Sequence, residues 1–194
     1  MGNIPEQTAA QEEEISLETQ NEQALYELLD KIREAASTQR GAGTRFETLV
    51  KDYLTREPSY RDLYSKVQTF KEWAEAHPDI AANKKDIGID LVATNADGNG
   101  YTAIQCKFYL LNATVSKSDI DSFIAASNTP YFTSRLIVAT NSKWGENVRT
   151  ELCSLTPPVM LITREDLAKS RIDWSAYIKG DTADIPKRKP RPYQ

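Results

Sequence analysis

Residues 84–109, Lys-Lys-Asp-Ile-Gly-Ile-Asp-Leu-Val-Ala-Thr-Asn-Ala-Asp-Gly-Asn-Gly-Tyr-Thr-Ala-Ile-Gln-Cys-Lys-Phe-Tyr, place polar side chains inside two segments that otherwise read as strands. Ile89 to Thr94 and Tyr101 to Tyr109 are rich in β-branched and aromatic residues. Asp97-Gly98 and Asn99-Gly100 between them are strong turn signals. The reading is an antiparallel hairpin. Because strand side chains alternate faces, Gln105 and Lys107 project together, while Ile104, Cys106 and Phe108 project oppositely into a core. Asp90, between Ile89 and Leu91, is expected to point away from both and to lie beside Gln105 and Lys107 across the hairpin. A carboxylate, a carboxamide and an ammonium then share one sheet surface.

That set suits phosphodiester hydrolysis, in which Mg²⁺ is held by hard oxygen ligands while a water attacks phosphorus. Magnesium keeps several waters and takes only one or two carboxylates, so a sparse protein shell satisfies it. Asp90 is the expected anionic ligand, and the Gln105 side-chain oxygen or the Cys106 backbone carbonyl would complete the shell. Lys107 would orient or deprotonate the water, or stabilise charge building on the phosphate. Asp86, four residues before Asp90, shares its face parity and is a rival ligand. Asp90 is preferred because its apolar neighbours set it firmly in a strand.

At these residues the sequence resembles the PD-(D/E)xK nuclease superfamily, most closely its Mrr-like restriction branch. There Gly-x-Asp on one strand precedes Gln-x-Lys on the next; here they are Gly88-Ile89-Asp90 and Gln105-Cys106-Lys107. The superfamily usually has Glu at the position of Gln105, so one negative charge is missing. The resemblance implies an α/β fold, a central mixed β-sheet flanked by helices, with added N-terminal helices. It also implies Mg²⁺, with Mn²⁺ able to substitute. A Gly-x-x-Phe-Glu helix precedes the core sheet in this pattern and its glutamate can reach the metal. Gly43-Thr44-Arg45-Phe46-Glu47 matches it, making Glu47 a further catalytic and metal candidate.

Composition bounds the rest. The chain has 194 residues, 40% hydrophobic and 27% charged, which fits one ordinary soluble domain with extensions. No apolar run is long enough to span a membrane and no signal peptide opens the chain, so the cytoplasm is the expected location. Cys106 and Cys153 lack metal-ligand spacing and read as small hydrophobes. A net charge of −4 argues at first against a nucleic-acid partner. However, residues 1–30 hold eight of the 28 acidic residues and none of the 24 basic ones, leaving 20 acidic against 24 basic in the remainder. A mildly basic body permits double-stranded DNA as a partner.

Along the chain, residues 1–20 are Glu- and Gln-rich and are expected to be flexible; residues 21–178 form the nuclease domain. Leu25, Leu28, Leu29, Ile32 and Ala36 recur at helical spacing. Residues 39–43 are expected to break that helix and Thr44 to cap the next, whose stripe is Phe46, Leu49, Val50, Tyr53 and Leu54. Tyr60, Leu63, Tyr64, Val67, Phe70, Trp73 and Ala74 predict a second helix over 59–76, inserted at about 59–80. His77, before Pro78, has no partners for a histidine-based site. Lys84 and Lys85, just before the Asp strand, are candidate DNA contacts. Ser116 and Asp119 suggest a capping box opening a crossover helix with Ile120, Phe123, Ile124 and Ser127 on one face. Arg135 to Thr140 reads as a strand buried on both sides. The polar loop Asn141-Ser142-Lys143-Trp144-Gly145 follows, with Ser142 and Lys143 as candidate DNA contacts. A helix from Glu146 to Leu155, a strand from Val159 to Thr163, a helix from Arg164 to Ser170 and a packed segment over 173–179 complete the layers.

Residues 179–194 are Pro- and Lys-rich and read as a linker. Arg191-Pro192-Tyr193-Gln194 resembles the start of a superfamily 2 helicase or translocase, whose glutamine reads adenine. The best match over residues 41–163 is the N-terminal nuclease of type ISP (single-polypeptide type I) restriction-modification enzymes. That resemblance implies translocase, methyltransferase and target-recognition partners in the same longer polypeptide. It also implies ATP used only through that motor, and a second enzyme copy for double-strand cleavage. Two other readings remain open: a nuclease-inactive DNA-binding or docking module, and a stand-alone repair or junction nuclease.

Overall fold

The structure, a computed structural model, describes residues 5–81, 88–109, 113–115, 118–141, 143–144 and 148–180, without the side chains of 5–14 and Asp119. In chain order the elements are α1 (Pro5–Ala35), α2 (Gln39–Arg56), α3 (Pro58–Arg61), β1 (Tyr64–Thr69), α4 (Phe70–Ala76), α5 (Pro78–Ala81), β2 (Leu91–Asn95) and β3 (Tyr101–Lys107). Then follow α6 (Ser118–Ala126), β4 (Phe132–Ala139), α7 (Val148–Ser154), β5 (Val159–Ile162), α8 (Arg164–Ala168) and α9 (Trp174–Ile178). The five strands form one mixed sheet in the order β1-β2-β3-β4-β5. The first three pair antiparallel, and β3-β4 and β4-β5 pair parallel. This is the expected α/β architecture.

Helices cover both faces of the sheet, so its middle strands are apolar on both sides. On one face Leu91, Ala93, Ile104, Leu136, Val138 and Ile162 pack with Leu25, Leu29 and Ile32 of α1 and the buried stripe of α2. On the other, Ile89, Val92, Ala103, Ile137 and Val159 pack with Trp73 of α4, Ile120 and Phe123 of α6, and Leu152 of α7. Burying each such side chain contributes about 1.5–3 kcal/mol, and these two layers fix the sheet between its helices. Arg135 enters this interior with no acidic partner among the described residues. It is only 2% exposed, and it donates to Ser127 Oγ at 2.9 Å and to the Pro157 carbonyl at 2.7 Å, joining β4 to the end of α6 and the approach to β5.

Several local expectations are corrected. The acidic segment before residue 21 belongs to α1 from Pro5 onward, with residues 15–20 exposed. The break between the first two helices falls at residues 36–38, and residues 39–43 open α2: the cap is Thr38, whose hydroxyl accepts from the Gly41 amide, and Thr44 lies inside the helix and donates to the Arg40 carbonyl. The helix expected over 59–76 is divided by β1. The interval of three or four between Tyr60, Tyr64, Val67 and Phe70 mimicked a helical stripe. In fact Tyr64 and Val67 are inward residues of an edge strand with a register irregularity between Tyr64 and Lys66. A capping box then restarts the helix: the Thr69 hydroxyl accepts from the Glu72 amide and the Glu72 carboxylate accepts from the Thr69 amide. The α6 helix starts at Ser118; its expected cap at Ser116, like residues 181–194, lies outside the described residues.

The β2–β3 hairpin turns on Gly98 at φ 77° and Gly100 at φ 72°. A side chain at Gly100 would bring its Cβ to 2.7 Å from the Tyr131 carbonyl oxygen, whereas Gly98 faces open space. Gly98→Ala therefore costs the positive-φ penalty of about 1 kcal/mol, and Gly100→Ala costs a further ~1–2 kcal/mol of strain. Urea denaturation of the two variants measures the difference.

Candidate active site

The backbone of Asp90 is pinned on both sides before its carboxylate is considered. Its amide donates to the Ile104 carbonyl and its carbonyl accepts from the Phe70 amide, both at 2.9 Å. The β2–β3 ladder ends with Leu91 paired to Ile104, and Asp90 stands just before it. Strand β2 begins only at Leu91, and Ile89 packs on the opposite face from Leu91. The expectation that these two neighbours share a face is therefore corrected, and the Asp90 carboxylate meets β3 at Cys106. The Asp90 carboxylate accepts from the Cys106 amide at 2.7 Å, a charge-assisted bond that fixes it against β3.

Gln105 is 3% exposed. Its amide nitrogen donates to the Gly88 carbonyl at 2.9 Å, which orients the group and leaves its oxygen, Oε1, buried without a hydrogen-bond partner among the described residues. An unmet acceptor in that position costs about 1–3 kcal/mol. Gly88 makes the contact possible. Its φ of 84° belongs to the left-handed region, and a Cβ there would lie 3.1 Å from Ser122 Oγ on α6 and 3.5 Å from Gln105 Nε2. Lys107 follows on the same face as Gln105, half-buried, and pairs with Ala139 of β4.

Cys106 projects to the other face, against the α1–α2 layer with Phe108, as expected from alternation. Burial pushes its thiol well above the ordinary range, and the Asp90 and then the Glu47 carboxylates push it further. Glu47, half-buried on α2, thus lies within electrostatic reach of the same rung as Asp90. Phe46, its neighbour, packs on Phe108 with ring centroids 5.4 Å apart. The structure brings Asp90, Gln105 and Lys107 to the end of β3, with Glu47 in electrostatic reach of Cys106 from the α2 side. Of the expected DNA contacts, Lys84, Lys85 and Ser142, with the rival ligand Asp86, lie outside the described residues. Lys143 is exposed, and its carbonyl accepts from the Val115 amide at 3.0 Å.

Among the described residues no cluster of three His, Cys, Asp or Glu side chains is placed to hold a metal. The oxygen-only alternative is chemically suited to a hard divalent cation: the Asp90 carboxylate is fixed by the Cys106 amide, and the neighbouring Gln105 offers a buried amide oxygen with no partner among the described residues. His77 is accounted for structurally. Its Nδ1 is 2.7 Å from the Trp73 carbonyl and its Nε2 is 2.9 Å from the Tyr101 hydroxyl.

A family model described as restriction endonuclease, Mrr_cat_2, matches residues 55–184, which include Asp90, Gln105 and Lys107. The chain belongs to this restriction endonuclease family. Among solved structures, the DNA-bound ATP-dependent type ISP restriction-modification enzyme LlaBIII is similar at 30% identity and a TM-score of 0.62. The match covers 86% of this chain and 10% of that one. No curated protein matches. The family match also includes β1, the element misread as part of a helix. Glu47 lies outside the matched residues.

Sequence reasoning missed two groups that shape this end of the sheet. Arg33 of α1 stacks over the Phe108 ring at 5.1 Å, pairs with Asp30 at 2.5 Å and donates to the Tyr109 carbonyl at 3.5 Å. Nothing local in the sequence links residue 33 to residue 108. Asn141, which opens the polar loop after β4 in the sequence, carries no local signal that its side chain is buried. Among the described residues no helix is long and apolar enough to cross a membrane.

At pH 7.5 a thiol reagent is expected to label exposed Cys153 at least about tenfold faster than Cys106, whose thiol is held protonated. Mass spectrometry of the labelled peptides reads the ratio. Equal rates would contradict the enclosure of Cys106 between the two carboxylates.

Proposed function

We propose that this chain is the Mg²⁺-dependent DNA endonuclease domain of a restriction-modification enzyme, hydrolysing phosphodiester bonds and nicking one strand per active site. The observation that carries this reading is the Asp90 carboxylate fixed by the Cys106 amide at the strand that carries Gln105, whose buried oxygen has no partner among the described residues, with Lys107 next on the same face as Gln105. Asp90 and Gln105 Oε1 would hold the ion, with the Cys106 carbonyl and Glu47 as further donors. When bound, Mg²⁺ lowers the pKa of water and offsets phosphate charge.

The chain's own groups supply orientation and charge. The Cys106 amide keeps the Asp90 carboxylate from rotating away, and the Gly88 carbonyl does the same for Gln105 by accepting its NH₂. Lys107 orients or deprotonates the attacking water, or stabilises the charge on phosphorus oxygens, from a flexible stem beside both. Lys84, Lys85, Ser142 and Lys143 are proposed contacts to the backbone of double-stranded DNA. Gln105 in place of Glu leaves the site one negative charge short, and Glu47 offsets that loss.

The likeness to a type ISP enzyme supports a place within a longer polypeptide, with a translocase, a methyltransferase and target-recognition domains. In that setting cleavage follows translocation, ATP acts only through the motor, and a second copy completes a double-strand break. Mn²⁺ would substitute for Mg²⁺.

Purified chain incubated with supercoiled plasmid and Mg²⁺ or Mn²⁺ is expected to produce open circles, and EDTA to stop it. Asp90→Ala and Lys107→Ala should each lower the nicking rate on the order of 10²-fold or more. Wild-type nicking that survives both substitutions would overturn the site. The missing third carboxylate favours one second reading, a DNA-docking module without cleavage. Salt-dependent DNA binding with no metal-dependent nicking would establish it.

A further inference from the structure

At the far end of β4 a second buried carboxamide repeats the arrangement of Gln105. Asn141 is 3% exposed. Its Nδ2 donates to the Ala113 carbonyl, which fixes which way the amide points, and its Oδ1 is buried without a hydrogen-bond partner among the described residues. As with Gln105, keeping such an acceptor unmet costs stability, and a well-packed interior would place a leucine or alanine there at no such cost.

The register says which group it faces. Lys107 pairs with Ala139 in the parallel β3–β4 ladder, and the Thr140 amide extends that ladder by donating to the Lys107 carbonyl at 3.0 Å. Two residues beyond Ala139, Asn141 falls on the face of Ala139 and therefore on that of Lys107 and Gln105. An independent contact agrees. Its partner Ala113 leads into Val115, which is fully buried in the same apolar layer as Ile137 and Phe123, the layer that covers this face. With neighbouring strands about 4.8 Å apart and a rise of about 3.3 Å per residue, a residue two steps beyond the ladder partner has its Cα roughly 8 Å away, near enough for a lysine side chain to approach it. Thr140 holds the same end of β3. Its hydroxyl accepts from the Tyr109 amide at 2.8 Å and donates to the Tyr109 carbonyl at 3.0 Å.

Resting on the nuclease reading above, we infer that Asn141 is a positioning residue of the site, its fixed amide oxygen being the acceptor that holds the Lys107 ammonium in place when a phosphodiester is bound. The donor half of the amide ties down the segment after β3 and the acceptor half aims the lysine. Gln105 Oε1 and Asn141 Oδ1 are then two rigid oxygens along one face, the first for the metal and the second for the cation that works beside it.

Two substitutions separate the halves. Asn141→Ala removes both, and Asn141→Asp keeps an oxygen acceptor of the same reach but loses the donation to Ala113. Plasmid nicking with Mg²⁺, thermal unfolding and DNA affinity are measured for wild type, both variants and Asp90→Ala. The expected result is a kcat for Asn141→Ala lower by roughly 10- to 100-fold with KM within about twofold, and a kcat for Asn141→Asp within about fivefold of wild type. Both variants should lose similar thermal stability, because both lose the bond to Ala113. A purely structural Asn141 would make Asn141→Asp as slow as Asn141→Ala, and an irrelevant one would leave Asn141→Ala at the wild-type rate; either result overturns the inference. Absence of nicking that depends on Asp90 overturns the nuclease reading itself, and this inference with it.

Discussion

Antiparallel pairing of β2 with β3 sets Leu91 opposite Ile104 and brings Asp90 to the Cys106 amide, and the other features of the candidate site follow from that rung. Two backbone bonds hold Asp90 between Ile104 and Phe70, so its carboxylate can be aimed by a third bond, from the Cys106 amide. The hairpin supplies this order at low entropic cost. Its turn is short, and the two positive-φ glycines adopt conformations that other residues reach only with strain. Once the rung exists, alternation carries Lys107 to the same face and Cys106 to the other.

The layers on either side then give each face a different character. The face under α6 is closed by Phe123, Ile120 and Val115, and the amide oxygens of Gln105 and Asn141, like that of Gln68, are buried without partners among the described residues. The face under α1 and α2 is closed by Phe46 against Phe108, with Arg33 stacked on the outer side of that ring. Glu47 comes within electrostatic reach of Cys106 because Phe46 anchors its helix to the strand that carries Cys106 and Phe108. The site is thus polar at one end of an apolar sandwich, where charge meets a low-dielectric wall and electrostatic contacts weaken little.

Much of this was legible residue by residue. Gly88-Ile89-Asp90 followed by Gln105-Cys106-Lys107, with a glycine-rich turn between, named both the hairpin and the polar group it assembles. The unbroken apolar run in Arg135 to Thr140 announced a strand covered on both sides, as β4 is. The segment 59–76 misled because an irregular edge strand buries Tyr64 and Val67 three residues apart, which copies helical spacing. Only the ladder to β2 distinguishes the two. The break expected at Gly41 and Gly43 failed for a related reason: packing of Phe46, Leu49 and Val50 outweighs the modest helix penalty of two glycines.

The sequence by itself determined what is local: which residues alternate in the hairpin, where its turn falls, which side chains could hold a hard cation, and the order of helices and strands after Lys107. The tertiary structure decided what depends on distant segments meeting. It set the Gly88 carbonyl on Gln105, Arg33 on Phe108, and Asn141 in register beyond Lys107 with its oxygen unpaired. The reason is physical. Alternation and turn chemistry act over a few residues and leave a pattern in them, whereas burial of a polar atom, and the partner it lacks, exist only once separate elements have excluded water from between them.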